Sequence, residues 1–300
     1  MASRAYACYR SAMQPDVKPL LERLDLERID RDLFRGTSPD DGRPRVFGGQ
    51  VAAQALVAAT RTVEGHLTHS LHSYFLRPGN PKRPIIYEVD RIRDGRTFTT
   101  RRVVAIQDGE AIYNMAASFQ REEEGYEFQL SMPDVPGPES VPSNAERIAE
   151  AAKTSKDPIF EWLARLESPI EVRDLDPSDP RAPTKKPGPH MLWFKADGAL
   201  PDDPIIHQCV LAYASDISLL GASLRQHALT WFDATLQVAS LDHVMWFHRR
   251  FRADEWLLYV TESASTSGAR GLNHGRIYTQ GGVLAASVAQ ENLMRRRTER

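Results

Sequence analysis

LHSYFLRPGNPKRPIIYEVDRIRDGRTFTTRRVVAIQDGEAIYNMAASFQ, residues 71–120, returns in altered form as DHVMWFHRRFRADEWLLYVTESASTSGARGLNHGRIYTQGGVLAASVAQ, residues 242–290. His72 and Gln120 are 48 residues apart, and His243 and Gln290 are 47 apart. A repeat of this length that holds several strands is a duplicated small domain rather than a solenoid. The differences between the copies are where function should be sought.

Each half of the chain, repeat copy and preceding residues together, has the pattern of a helix followed by an antiparallel sheet. In the first, Gly48-Gly49 opens QVAAQALVAATRTV, whose Val51, Ala52, Ala55, Leu56 and Ala59 recur at helical spacing with small side chains. Strands are predicted at about 85–91, 98–107 and 111–119, with Asp94-Gly95 and Asp108-Gly109 as turns. In the second they are predicted at about 245–251, 256–262, 270–279 and 283–290, with Gly281-Gly282 at the last turn. The second helix, IIHQCVLAYASDISLL over 205–220, is apolar nearly all round, which in a globular chain means a helix enclosed by protein. A helix wrapped by a curved antiparallel sheet is the hotdog arrangement. Two tandem copies make the expected class α+β, a double hotdog.

Between Gly125 and His190 the texture changes, because 11 of the 20 prolines fall there. That stretch reads as a linker lying on the surface, its helical part near 145–166 carrying Phe160, Trp162, Leu163 and Leu166. The expected division is a first hotdog unit at 20–124, a Pro-rich linker at 125–190, and a second unit at 191–297 that carries the catalytic residues.

Composition excludes several classes. A formal net charge of −2 offers no global pull toward nucleic acid or an anionic membrane. Cys8 and Cys209 lie far apart without zinc or redox spacing, which fits a reducing cytosol. The first eighteen residues lack the apolar run of a signal peptide, no stretch approaches the roughly 18 apolar residues of a membrane span, and Thr298, Glu299 and Arg300 do not read as a peroxisomal address. The expected place is the cytoplasm. Walker A, Rossmann, HExxH and G-x-S-x-G patterns are missing, so neither a metal nor an organic cofactor is expected.

Asp216 stands out because it sits in the apolar second helix, where a carboxylate loses hydration. The structural alternative is an acid near the helix end that accepts hydrogen bonds from a neighbouring loop. The first helix, over Gln50 to Thr60, has no Asp or Glu, so only the second half offers an acid on its helix. Ser240 in VASLDHV and Gln290 after VLAASVA are polar residues in apolar settings. Taken singly, such a Ser is ordinarily a turn group and such a Gln ordinarily faces solvent. Together, acid, hydroxyl and amide can hold one water.

The tracts LFRG (33–36), RVFGGQVAAQAL (45–56), HSLHSYFLRPG (69–79), PIIYEVDRIRDGRTFTTRRVVAIQ (84–107), ASFQ (117–120), YASD (213–216), ASLDHVMWFHR (239–249), ADEWLLY (253–259), ARGLNHGRIYTQGGVLAA (269–286) and AQENLMR (289–295) resemble the acyl-CoA thioesterase II family over about residues 20–297. The resemblance implies a double-hotdog hydrolase of acyl-CoA thioesters that works without metal or organic cofactor, and fatty acyl-CoA of medium to long chain is the expected substrate. It places an acid, a hydroxyl and an amide on Asp216, Ser240 and Gln290. The familiar bacterial member has Thr at the hydroxyl position, and Ser lacks only its methyl.

A thioester carbonyl is electrophilic, and a thiol with a pKa of about 8.5 leaves with little help from an acid. The chemistry therefore calls for an activated water, with Asp216 as base and Ser240 and Gln290 orienting it. The amides after Gly48-Gly49 are candidate oxyanion donors. The weaker alternative makes Ser240 a nucleophile with His243 as base. Arg77, Lys82, Arg83, Arg91, Arg101 and Arg102 could meet coenzyme A phosphates, although a solvated charged face is the plainer reading. Other activities to weigh are a hotdog enoyl-CoA hydratase or dehydratase and a non-catalytic acyl-CoA-binding module. A homodimer or higher homo-oligomer is expected, because hotdog sheets have edges and faces that pair.

Overall fold

The alternation of apolar and polar residues in both copies becomes one antiparallel sheet in the computed structural model, which describes residues 16–39, 42–166 and 168–297. Cys8 and the terminal Thr298–Arg300 lie outside the described residues. The first half supplies β1 (Glu27–Asp30), β2 (Leu33–Gly36), β3 (Leu67–Phe75), β4 (Ile85–Asp94), β5 (Phe98–Gln107) and β6 (Glu110–Gln120). The rest of the chain supplies β7 (Ile170–Asp174), β8 (His190–Ala196), β9 (Leu236–Ser240), β10 (Asp242–Phe247), β11 (Leu257–Ser267), β12 (Arg270–Thr279) and β13 (Leu284–Arg296). Their order is β1-β2-β4-β5-β6-β3-β10-β13-β12-β11-β8-β7, with β9 paired to β13. The two halves join where β3 pairs β10, from Asp242 opposite Tyr74 to Trp246 opposite Ser70.

Turn chemistry sets the hairpins. Asp108 and Gly109 both take positive φ, 49° and 82°, as a two-residue turn between β5 and β6 requires. Gly268 and Ala269, at φ 55° and 60°, do the same between β11 and β12 and carry β11 well past the predicted 262.

Two helices occupy the inner side of the sheet. Helix α1 (Lys18–Leu24) packs on α2 (Gly48–Thr60), whose side chains from Gly49 to Thr60 are all buried. The Ala and Gly residues of α2 let it approach both the sheet and the second long helix closely. The linker contains α3 (Asn144–Thr154), started by a Ser143–Glu146 capping box, and α4 (Pro158–Arg165), so Pro158 splits the predicted helix near 145–166 in two. Trp162 of α4 meets Phe232 edge-on, and β7 adds to the sheet through β8.

The second long helix, α5 (Pro204–Ser215), begins at Asp203, whose carboxylate accepts from the Ile205 amide at 2.9 Å, with Pro204 at its first position. It is shorter than the predicted 205–220. The carbonyl of Ser215 accepts from the Tyr259 hydroxyl of β11 at 3.0 Å, and Ile217 turns back to the Ala214 carbonyl at 3.1 Å, so the α-helical ladder ends. A short helix α6 (Gly221–Arg225) follows. The predicted boundaries shift elsewhere too: β10 ends at Phe247 rather than 251, and β13 runs on to Arg296, past Gln290.

Candidate active site

The early end of α5 decides where Asp216 lies. It is the residue after the helix rather than one within it, and it remains buried at 6 % exposure. The expectation of an acid inside a helix is thus corrected to an acid just beyond its last turn. The side chain reaches the start of α2 in the other half. There the Gly49 amide donates to the carboxylate, and a Cβ on Gly48 would lie 2.7 Å from Asp216 Oδ2. A carboxylate at a helix N-terminus is stabilised by unpaired N–H groups and the helix dipole. The Gly49 amide, just ahead of the amides expected from sequence as oxyanion donors, is therefore a partner of the acid.

Ser240 and Gln290 meet at the same carboxylate oxygen. Gln290 Nε2 donates to Asp216 Oδ1 at 2.6 Å and Ser240 Oγ donates to it at 3.3 Å. The path of β13 accounts for this. Its first part pairs with β10 and its last part with β9, so the short link through Leu241 puts Ser240 opposite Asn292, two residues beyond Gln290. Val288, Gln290 and Asn292 share one parity and face inward together.

Burial dominates the electrostatics. Phe75 crowds Gly48, and Tyr213 packs edge-on to Phe47 with centroids 5.1 Å apart. Desolvation in this surround pushes the Asp216 carboxyl up to about 6, against the lowering effects of Gln290, Ser240, Gly49 and Arg45. The acid is thus poised near neutrality.

His243 has a different place from the one a serine nucleophile would need. It is fully buried, and its Nε2 bonds Ser215 Oγ at 2.8 Å rather than Ser240. Burial drives its pKa down to about 4, so the ring is neutral at pH 7. His72, its counterpart in the repeat, is exposed and stands edge-on to Trp246.

Gln120 and Gln290 align in the repeat but differ in space. Gln120 is outward in phase and donates to Glu123 at 3.1 Å, whereas Gln290 is inward and fully buried. Extra residues at His69 of β3, Ile112 of β6 and Ala285 of β13 shift the strand phase, and a one-residue shift exchanges the faces.

The basic set resolves mainly into ion pairs: Arg77 with Glu110, Arg83 with Asp108, Arg91 with Asp32, and Arg102 with Asp90. Arg101 is buried and bonds Thr62 and Asp94. Cys209 is buried in α5, and burial raises its thiol pKa well above the ordinary range. Among the described residues no group of three or more His, Cys, Asp and Glu is placed to hold a metal ion.

Sequence reading missed Tyr259, Ser215, Asn273 and Asn292. Tyr259 fixes the end of α5, and its ring lies where a side chain on Gly275 would be, since a Cβ there would come within 2.3 Å. Asn273 shares the inward parity of Gly275 and Ile277 in β12, a signal that was available but indistinct among so many polar neighbours.

Comparison with known proteins points one way. The family described as "Acyl-CoA thioesterase" matches residues 177–293, and "Acyl-CoA thioesterase N-terminal domain" matches 37–120. Acyl-CoA thioesterase 2 of Haemophilus influenzae is 42% identical over 277 residues, covering 92% of this chain and 96% of its own. The crystal structure of acyl-CoA thioesterase II TesB2 from Mycobacterium marinum is similar at 44% identity and TM-score 0.74, covering 92% of this chain and 98% of its own. A conserved protein with a hot dog fold from Alicyclobacillus acidocaldarius, 21% identical, has TM-score 0.72 over 92% and 98% of the two chains, a likeness of fold.

Proposed function

Because this chain belongs to the acyl-CoA thioesterase II family, is a double hotdog, and hydrolyses acyl-CoA thioesters, we propose that Asp216 activates the attacking water while Ser240 and Gln290 hold it. The observation that carries this reading is the convergence of Gln290 Nε2 and Ser240 Oγ on Asp216, with Gln290 Oε1 buried beside them and unpartnered. Water gives one proton to Asp216 and directs the other at Gln290 Oε1, leaving a lone pair for the thioester carbon. Collapse of the tetrahedral intermediate breaks the C–S bond. The proton held by Asp216 then passes to the departing thiolate, which regenerates the base.

Two measurements test these roles. Since Asp216 must be ionised and its pKa lies at about 6, kcat/KM rises as pH increases through about 6 and levels off above it. A profile flat from pH 5 to 8, with chemistry rate-limiting, would remove Asp216 as the base. Ser240→Ala should lower kcat only about 10- to 100-fold, since it loses one water-orienting group, and Ser240→Thr should keep most of it. Loss of a nucleophile is far more severe, on the order of 10⁶-fold in serine hydrolases. A pre-steady-state burst of thiol release, or complete loss in Ser240→Ala, would favour an acyl-enzyme.

Fatty acyl chains of medium to long length are the substrates we propose. Thiol release followed across saturated acyl lengths tests this directly. A hydratase or silent binding module finds less support, because His243 is engaged with Ser215 while Ser240 and Gln290 both donate to Asp216. We read the chain as hotdog units at 20–124 and 191–297 joined by 125–190, the second carrying the acid, hydroxyl and amide. We also read it as a cytoplasmic homodimer or higher homo-oligomer. No helix among the described residues is long and apolar enough to cross a membrane.

A further inference from the structure

Beside the Asp216 site lies a second buried polar array, absent from the reading of function so far. Asn273, Asn292 and Ser223 are each fully buried. Asn273 Nδ2 donates to Asn292 Oδ1 at 2.6 Å and to the Gln290 carbonyl at 3.3 Å. Ser223 Oγ, from α6, reaches the same Asn292 oxygen at 3.0 Å. Asn273 Oδ1 is left buried without a partner.

The register gives this array its meaning. Asn273 is directly opposite Gln290 across β12 and β13, and Asn292 is directly opposite Ser240 across β13 and β9. Each of the two groups that donate to Asp216 thus has one of the asparagines as its cross-strand neighbour. Gly271 admits the third member, because a Cβ there would lie 2.5 Å from Ser223 Cβ and 3.1 Å from Asn292 Oδ1. Three apolar side chains of similar volume would fill this space without an orphaned oxygen, and replacing hydrogen-bonded partners together by apolar groups is often neutral or stabilising. The array is therefore a poor device for stability alone.

We propose that Asn273 and Asn292, tied to each other and to Ser223, are positioning residues that hold Gln290 and Ser240 in the geometry in which both donate to Asp216. The amide–amide bond spans β12 and β13 at the level of the site and limits their sliding and twisting. Asn273 also holds the Gln290 backbone through its carbonyl. This inference rests on the reading of Asp216 as the base.

The test is the triple variant Asn273→Leu/Asn292→Leu/Ser223→Ala, which removes the whole array and leaves no broken half. The expected result is a Tm equal to or above the parent, KM within about twofold, and kcat lower by about tenfold. The acid limb of the pH–rate profile moves to higher pH, because Asp216 loses part of the donation that favours its ionised form. The other charged or titratable groups acting on Asp216 (Arg45, Tyr113, Tyr259) and His243 behind Ser215 are unchanged in this variant. A merely structural role would scale the rate equally at every pH. An unchanged kcat and limb in the folded variant would overturn the proposal. If the triple variant does not fold, Asn273→Ala is read by the same two criteria and decides the matter. Asp216→Asn, run in parallel, separates the two readings. Full activity there defeats the assignment of the base, whereas an inactive Asp216→Asn beside an unaltered array variant defeats only this proposal.

Discussion

Asp216→Asn lowers kcat by about 10²- to 10⁴-fold, the range for loss of a general base, while the protein stays folded with a Tm equal to or above the parent's. The two effects have one cause. Burial raises the carboxyl pKa from 3.8 to about 6, so the folded protein holds the proton more tightly than the unfolded chain does. Between about pH 4 and 6 the folded state therefore binds more protons, and stability falls as pH rises. Above 6 the ionised carboxylate costs about 3 kcal/mol relative to an acid with no shift. Asparagine removes that charge but turns an N–H toward one of the donors that served the carboxylate, which offsets part of the gain. Circular-dichroism melts and thiol-release kinetics at pH 8 check both halves of the expectation. Retained turnover, or a large loss of Tm, would place the function of Asp216 elsewhere.

Gly49→Ala should damage stability and activity together. Its new Cβ would lie 2.4 Å from the Tyr213 carbonyl oxygen, and that atom belongs to the backbone of α5, which cannot rotate away. The helices must separate. Overpacking of this kind costs roughly 3 kcal/mol, which for a chain of this size lowers Tm by about 5 °C. The Gly49 amide moves with the helix and loses its bond to Asp216, and a displacement of about 1 Å can cost about 10²-fold in rate. Asp216→Asn and Gly49→Ala thus make a diagnostic pair, since only the second should fail in both assays. A Gly49→Ala protein with unaltered Tm and kcat would mean that the two helix backbones are not held so close.

Much of the fold was legible because it depends on local rules. The β5–β6 hairpin followed from alternation and the Asp108-Gly109 turn, and α2 from a run of small apolar residues ending near Thr60. The end of α5 was not legible, since the residue that takes its last carbonyl is Tyr259, 44 positions along the chain. The apparent equivalence of Gln120 and Gln290 failed for a related reason. Bulges change strand phase, and the repeat alignment carries no record of which face each residue takes.

The sequence by itself determined the duplication, the double-hotdog class, the hydrolysis of acyl-CoA, and the three residues Asp216, Ser240 and Gln290 as candidates. Periodicity, turn chemistry and family tracts are properties of neighbouring residues, so they survive in one dimension. Only the tertiary structure decided that these residues meet, that the acid lies just past its helix, and that its third donor is the Gly49 amide of the other half. Hydrogen bonds between segments far apart in the chain, and the burial that sets a carboxyl near 6, exist only once the two halves have closed around each other.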